Sequence, residues 1–154
     1  MAKQAAKYGK GDGGMDILLV EDNPSYVELT VRALGEIAGG DLRVEVAVSG
    51  ERALEILLDE KAHLPRLVVL DLKLPKIGGH EVLRRLRGNP NTRYLPVVIL
   101  SSSSVPSDIA NSYRLGAYGY ALRPLNFKRY VDVLADICAY WLVINVVAPA
   151  DAVG

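Results

Sequence analysis

The sequence predicts an α/β fold in which one parallel sheet of five strands is covered by helices on both faces. Five short apolar segments alternate along the chain with segments of helical periodicity, which is typical of repeated βα units. Four of the apolar segments carry no polar interruption, as strands covered on both faces do. The remaining segment alternates between polar and apolar residues, and this pattern favours a strand at the edge of the sheet.

The predicted strands are residues 17–20, 43–48, 67–70, 97–100 and 118–122. The alternating strand is the second of these, so it takes the outermost position. The order 2-1-3-4-5 of a flavodoxin-like, doubly wound (βα)5 sheet meets this requirement. The chain shows no internal repeat and no linker to a second unit, so we expect a single domain.

The first helix is predicted to begin at Asn23 and Pro24, because asparagine is a good N-cap and proline is favoured in the first turn. Apolar residues spaced by four, three and four positions mark one side of this helix, which we expect to face the core. These residues are Val27, Val31, Leu34 and Ala38.

The other helices have comparable start signals. Ser49 caps the second helix, residues 79–86 form the third, and the fourth begins at Ser107 or Asp108. Asn126 caps the fifth helix. The apolar stripe of the fifth helix consists of Phe127, Tyr130, Leu134, Ile137 and Trp141.

Charge and cysteine content exclude several classes of protein. Lys+Arg and Asp+Glu each number 18, so no net charge attracts nucleic acid or an anionic membrane, and we expect neither as a partner. The single cysteine, Cys138, excludes an intramolecular disulfide and fits a reducing compartment. No apolar run reaches the roughly 18 residues that a membrane span needs. We therefore expect a cytoplasmic protein.

The two ends of the chain differ from the middle. Residues 1–14 are polar, basic and rich in glycine, and we interpret them as a disordered N-terminal extension or a cloning remnant. Residues 15–139 carry the folded domain. Residues 140–154 form an apolar C-terminal extension of the fifth helix. This extension either folds back on its own domain or extends a dimer interface.

Polar residues follow the central strands at the edge where functional groups of such sheets gather. Glu21 and Asp22 follow the first strand, Asp71 follows the third, and Ser101 and Arg123 follow the fourth and fifth. Three converging carboxylates repel one another unless a cation lies between them. A hard divalent ion with oxygen ligands resolves this repulsion, and a small site that keeps several waters favours Mg²⁺.

Four segments together resemble the receiver domain of two-component response regulators. They are LLVEDN at 18–23, VVLDLKLPKIGG at 68–79, PVVILSSS at 96–103 and GYALRPL at 119–125. Asp22, Asp71, Ser101 and Arg123 follow one another at intervals of 49, 30 and 22 residues. The resemblance covers residues 15–139.

The resemblance implies that Asp71 accepts a phosphoryl group from a phosphohistidine of a sensor histidine kinase. It also implies that Glu21, Asp22, Asp71 and the backbone carbonyl of Lys73 hold Mg²⁺. In this interpretation Pro75 stiffens the loop after the third strand. The protein then signals through contacts and is not an enzyme beyond its own phosphotransfer and dephosphorylation.

The resemblance further implies a switch. Ser101 is the hydroxyl expected to move toward the phosphoryl group, and Tyr120 is the aromatic residue expected to turn inward with it. Output is then expected through the face formed by the fourth helix, the fifth strand and the fifth helix.

The sequence departs from the family at Arg123, where most receivers have lysine. Arginine is planar and grips two oxygens, whereas lysine is a point charge. Arg123 either contacts the phosphoryl group in the lysine's place, forms a salt bridge with an acidic carboxylate, or indicates a degraded switch. The resemblance also implies a cis bond between Arg123 and Pro124.

A narrower resemblance links the Tyr-Trp-Leu extension and the serine run at 101–104 to small receivers that pair with bacterial phytochrome kinases. It implies a bacteriophytochrome partner and a homodimer. Another possible function is a constitutive dimeric scaffold that no longer uses phosphate. A hydrolase with Asp71 as nucleophile is disfavoured because Lys73 stands where such enzymes carry a second acid. A flavin-binding protein is disfavoured because the loop that contains Glu21 and Asp22 is acidic.

Overall fold

The computed structural model describes residues 14–38 and 40–149. In this part of the chain five parallel strands form one sheet in the order β2-β1-β3-β4-β5, which confirms the predicted topology. The strands are β1 Ile17–Val20, β2 Val44–Ala47, β3 Leu67–Leu70, β4 Val97–Ser101 and β5 Gly119–Leu122. Most of the predicted N-terminal extension and the end of the predicted C-terminal extension lie outside the described residues.

Five α-helices alternate with the strands, and a short π-helical turn follows the last one. They are α1 Pro24–Ala38, α2 Gly50–Leu57, α3 Gly79–Arg87, α4 Pro106–Arg114, α5 Phe127–Cys138 and the turn Ala139–Ile144. Two predicted caps are confirmed, because Ser49 and Asn126 accept hydrogen bonds from the backbone N–H groups of Arg52 and Arg129. None of the described helices has the length and apolar character that crossing a membrane requires.

Side chains of the central strands enter two separate cores, one on each face of the sheet. Leu18 and Leu70 pack with α2 and α3 on one face. Leu19 and Val69 pack with α1 and α5 on the other. This two-sided burial explains why these strands are continuously apolar, as the sequence predicted.

The predicted core face of α1 is wrong at one position. Val31 is 42% exposed, whereas Thr30 is buried. The Thr30 hydroxyl donates a hydrogen bond to the Tyr26 carbonyl, so its burial leaves no donor unsatisfied. The buried face of α1 is therefore rotated by about one residue from the predicted apolar stripe. A pattern of apolar residues does not reveal this rotation, because Thr30, the first buried residue of the face, is polar and hydrogen-bonded within the helix. The helix α4 also begins at Pro106, one residue before the predicted Ser107, since proline is well suited to a first helical turn.

The first part of the C-terminal extension folds back on its own domain. Leu142 is 5% exposed and belongs to the core beneath α1 and α5. The Arg66 guanidinium donates a hydrogen bond of 2.5 Å to the Leu142 carbonyl. Beyond this turn the apolar residues Val146 and Val147 are exposed. The structure thus buries Leu142 of the extension and leaves apolar residues on either side of it exposed, Tyr140 before it and Val146 and Val147 after it.

Candidate functional site

The sheet register brings the candidate residues to one edge. Val20 lies opposite Leu70 in the pairing of β1 with β3, so the next residues, Glu21 and Asp71, leave the sheet side by side. Ser101 lies opposite Leu122 in the pairing of β4 with β5, so Arg123 follows immediately. This edge is the carboxyl end of the parallel strands, where the sequence predicted the site.

Three carboxylates converge at this edge. One carboxylate oxygen each from Glu21, Asp22 and Asp71 lies within 4.8 Å of the other two. Glu21 and Asp71 are buried and Asp22 is exposed. A set of carboxylate oxygens with one open side suits a hard divalent cation that keeps part of its water shell. Lys73, whose backbone carbonyl is the fourth predicted ligand, has an exposed side chain in the following loop.

The environment of Glu21 disfavours its charge. Burial raises the pKa of Glu21 to about 7, and the nearby charge of Asp71 adds to this effect. The Asn23 backbone N–H, which donates a 3.1 Å hydrogen bond to Glu21 Oε2, and the Arg123 guanidinium oppose it. The acidic cluster is therefore an energetic burden that a bound cation would relieve.

Arg123 forms a buried ion pair with Glu21. Its Nη2 atom donates a 2.5 Å hydrogen bond to Glu21 Oε1, and the two side chains are 6% and 2% exposed. The guanidinium carbon also lies 3.9 Å from the centre of the Tyr26 ring, a cation–π distance. Of the three interpretations of Arg123, this geometry matches the salt bridge with an acidic carboxylate.

The expected cis bond between Arg123 and Pro124 is wrong, because this bond is trans. The trans isomer is intrinsically favoured by about 0.5–1 kcal/mol. With the trans bond, the long arginine side chain still reaches Glu21.

The loop between β3 and α3 passes very close to the phosphoacceptor candidate. A Cβ atom on Gly79 would lie 2.4 Å from the Asp71 backbone oxygen and 2.8 Å from the Leu72 Cα, so no other residue fits there without movement. Lys76 adopts a left-handed backbone with φ of 61°. Glu51 accepts a 3.0 Å hydrogen bond from the Ile77 backbone N–H and fastens this loop to α2. The glycine at position 79 thus allows the tight backbone path from Asp71 into α3.

Ser101 and Tyr120 both bind Ser103. The Ser103 backbone N–H donates a 3.1 Å hydrogen bond to Ser101 Oγ, and the Tyr120 hydroxyl donates one of 2.7 Å to the Ser103 carbonyl. The Ser103 hydroxyl in turn donates a 2.6 Å hydrogen bond to Asp108 in α4. Sequence reasoning missed these hydrogen bonds of Ser103 and Asp108, since serine and aspartate near a helix start are usual loop and first-turn residues.

Sequence reasoning also missed the residues around Arg123. Tyr26 lies in the first turn of α1 and Tyr130 in the first turn of α5, and both belong to segments where an aromatic residue normally indicates core packing. Only the tertiary structure places them beside the guanidinium.

Comparison with known proteins identifies the family of this site. The family model described as the response regulator receiver domain matches residues 17–135. A probable methanogenesis regulatory protein, FilR2 from Methanothrix harundinacea, is 40% identical over 129 residues, covering 82% of this chain and 83% of that protein. The response regulator Rcp1 from Synechocystis sp. strain PCC 6803 is 32% identical over 130 residues, covering 82% of this chain and 88% of that protein.

Solved structures agree in fold. The crystal structure of the phosphorylated cyanobacterial phytochrome response regulator RcpA superposes with a TM-score of 0.79 at 31% identity, covering 88% of this chain and all of that one. The Mn²⁺-bound form of Rcp1 superposes with a TM-score of 0.77 at 31% identity, covering 86% of this chain and 98% of that one. The chain therefore belongs to the response regulator receiver domain family and is a phosphoacceptor protein of two-component signalling.

Proposed function

We propose that Asp71 is the phosphoacceptor and that Glu21, Asp22, Asp71 and the Lys73 backbone carbonyl hold Mg²⁺ beside it. The convergence of three carboxylates within 4.8 Å carries this proposal. When bound, Mg²⁺ would neutralise charge on the oxygens of the transferring phosphoryl group. Glu21 and Asp22 supply hard oxygen ligands, and Gly79 leaves the backbone after Asp71 free of steric conflict.

The proposed reaction is a simple displacement. A carboxylate oxygen of Asp71 attacks the phosphorus atom of a phosphohistidine on the kinase, an O–P bond forms, and the N–P bond breaks. The leaving imidazole keeps the electron pair of that bond and takes up a proton. Phosphorylation adds negative charge at the sheet edge that also carries Ser101, the last residue of β4, and Arg123, which directly follows β5.

Ser101 and Tyr120 act in this proposal as the switch. The Ser101 oxygen accepts a hydrogen bond from the Ser103 backbone N–H, and a movement of this hydroxyl toward the phosphoryl group would break that bond. We expect such a change to shift α4, because Ser112 is the single buried residue of this helix and its movement therefore loses little packing energy. We expect the output surface to comprise α4, β5 and α5.

Arg123 is proposed to contact the phosphoryl group after phosphorylation. In the present structure its Nη2 atom is paired with Glu21. A planar guanidinium has donors to spare for a second oxygen. This contact therefore requires the guanidinium to share or leave Glu21.

A sensor histidine kinase, and specifically a bacteriophytochrome, is the proposed partner, and the cytoplasm is the proposed compartment. The similarity to RcpA and Rcp1 supports the phytochrome assignment. The test is phosphotransfer from each histidine kinase of the same genome, with Asp71→Asn as the matched control. We expect rapid transfer from a phytochrome kinase to wild type only. Faster transfer from an unrelated kinase would contradict the phytochrome assignment but not the role of Asp71.

A homodimer is the proposed assembly. Apolar side chains on β5 and after α5 are exposed, and this supports an interface on that side. They include Leu122, Tyr140, Val143, Ile144, Val146 and Val147. Sedimentation of wild type and Asp71→Asn, each with and without beryllofluoride, tests the assembly. A monomer under all conditions would contradict it, and a dimer in all four samples would support the scaffold function instead.

A further inference from the structure

A hydrogen bond between two side chains joins α3 to α4. His80, the second residue of α3, places its Nε2 atom 3.0 Å from the hydroxyl oxygen of Ser112 in α4. Ser112 Oγ donates its single proton to the Asp108 carbonyl at 2.7 Å. The Ser112 oxygen must therefore be the acceptor in the contact with His80, and Nε2 of the imidazole carries the proton. The bond thus has its donor on α3 and its acceptor on α4.

The two helices are held with different firmness. α3 is anchored in the core by three fully buried apolar side chains, those of Val82, Leu83 and Leu86. Its first residue, Gly79, passes so close to Asp71 that a Cβ atom would lie 2.4 Å from the Asp71 backbone oxygen. In α4, by contrast, Ser112 is the single buried residue. His80 therefore fastens the weakly packed helix to the firmly packed helix that begins beside the phosphoacceptor candidate.

α4 is also held at its first turn, by the loop that carries the switch residues. Ser103 Oγ donates to Asp108 Oδ2 at 2.6 Å, and the backbone of Ser103 contacts both Ser101 and Tyr120. Movement of the switch residues therefore acts on the first turn of α4. The bond from His80 lies one turn further along the helix. A shift of the whole helix away from α3 has to break this second bond, because α3 is anchored in the core.

We propose that His80 is a positioning residue of the switch, which donates to Ser112 and thereby opposes the shift of α4. The inference rests on the proposed function, in which phosphorylation of Asp71 shifts this helix. The hydrogen bond from His80 favours the position of α4 seen here. Its strength then sets how much of the protein has a shifted α4 before phosphorylation, and how much of the phosphoryl group's interaction energy the shift consumes.

Amide hydrogen exchange without any phosphodonor tests the positioning of α4. His80→Leu removes the donor, and leucine is too short to press on Ser112. Exchange across residues 107–114 should accelerate on the order of fivefold, the effect of losing one hydrogen bond, while exchange in β1 and β3 changes little. His80→Gln is the matched control, because its amide nitrogen reaches about as far as Nε2 and also donates. Exchange in this variant should stay close to that of wild type.

Binding of beryllofluoride, a mimic of the phosphoryl group, tests the effect on the switch. A ligand that favours the shifted helix binds more tightly when less free energy is needed to reach that state. At a fixed Mg²⁺ concentration, the beryllofluoride concentration that half-saturates the amide NMR shifts should fall on the order of fivefold in His80→Leu and stay near the wild-type value in His80→Gln. General destabilisation of the fold would leave this concentration unchanged or raise it, so the direction of the change identifies a positioning role.

Ser112→Ala removes the acceptor of the same bond and provides a second, independent variant. It should shift beryllofluoride binding in the same direction as His80→Leu. Adding His80→Leu to Ser112→Ala should have little further effect, because the two substitutions break one interaction. Thermal unfolding of each variant, recorded in parallel, shows whether the fold is retained.

Both effects of His80→Leu are required. The inference is overturned if either α4 exchange or beryllofluoride binding is unchanged in this variant, if binding weakens, or if His80→Gln behaves as His80→Leu does. Failure of the proposed function is a distinct result and is visible in wild type alone. If beryllofluoride does not bind wild type, or binds without changing the exchange of α4, the proposed switch fails and this inference fails with it.

Discussion

The Tyr120 hydroxyl donates a 2.7 Å hydrogen bond to the backbone carbonyl of Ser103. The N–H group of the same Ser103 donates to Ser101 Oγ, and its hydroxyl donates to Asp108 at the start of α4. The aromatic and hydroxyl residues of the proposed switch are therefore joined through one loop residue. Movement of either one breaks a bond that helps hold α4 in place.

Removing the Tyr120 hydroxyl should loosen this loop. Tyr120→Phe loses one hydrogen bond, so the free energy of unfolding should fall by about 1 kcal/mol. Amide hydrogen exchange across residues 103–109 should accelerate while exchange in β1 and β3 changes little. Tyr118→Phe, which loses a hydroxyl bonded to Tyr94, is the control. Unchanged exchange across the loop in Tyr120→Phe would show that the bond does not hold it.

The two adjacent glycines at the start of α3, the N-cap Gly78 and the first helical residue Gly79, should respond differently to alanine. A Cβ on Gly79 meets the Asp71 backbone oxygen at 2.4 Å, whereas a Cβ on Gly78 meets the Leu72 oxygen at an ordinary 3.4 Å. We expect Gly79→Ala to destabilise the fold by about 2–3 kcal/mol in urea denaturation, and Gly78→Ala by less than about 1 kcal/mol. Similar losses in both variants would contradict the close contact at Asp71.

The pH dependence of the free energy of unfolding should reveal the cost of keeping the buried Glu21 carboxylate charged. Burial raises the pKa of Glu21 to about 7 from its ordinary value of 4.5, so the folded protein binds a proton that the unfolded chain releases. The resulting stabilisation is full below 4.5 and is lost as the pH rises through about 7. Metal-free protein should accordingly melt at a higher temperature at about pH 5.5 than at about pH 8.

Mg²⁺ should reverse this trend, because it binds the deprotonated carboxylate and protonation competes with it. The rise in melting temperature on adding Mg²⁺ should be larger at about pH 8 than at about pH 5.5. In Asp22→Asn, which lacks one proposed ligand, the rise should be much smaller at both values. An equal Mg²⁺ effect at the two pH values in wild type would count against Glu21 as a ligand.

The start of the C-terminal extension should contribute to stability as a core element does. Leu142 is 5% exposed and Ile144 is 65% exposed, although the two residues lie in the same turn. Leu142→Ala should lower the free energy of unfolding by about 2–4 kcal/mol, and Ile144→Ala by less than about 0.5 kcal/mol. Equal costs would mean that the turn does not pack as described. If dimerisation buries Ile144, the stability lost in Ile144→Ala should increase with protein concentration.

The sequence predicted those features that depend on local pattern. Continuous apolar runs identified the central strands, and the hydroxyl and amide of Ser49 and Asn126 identified two helix starts. It also placed Glu21 and Asp71 at one edge, because that follows from strand order alone. Each of these inferences needs only neighbouring residues and the topology of the sheet.

What the sequence could not show depends on contacts between distant segments. Thr30 and Tyr130 are separated by 100 positions, and nothing in either helix indicates that their hydroxyls meet. Thr30 is buried in place of Val31, and its hydroxyl is hydrogen-bonded to the Tyr26 carbonyl. A search for spaced apolar residues does not detect a buried threonine. The sequence likewise allows three interpretations of Arg123, and only the tertiary structure shows that its side chain pairs with Glu21.

The most direct measurement of the central claim is the intact mass of the protein after incubation with a small phosphodonor, such as acetyl phosphate, and Mg²⁺. We predict a gain of one phosphoryl group in wild type, loss of that gain when Mg²⁺ is chelated, and none in Asp71→Asn. A wild-type mass that does not change, or an equal gain in Asp71→Asn, would contradict the assignment of Asp71 as the phosphoacceptor.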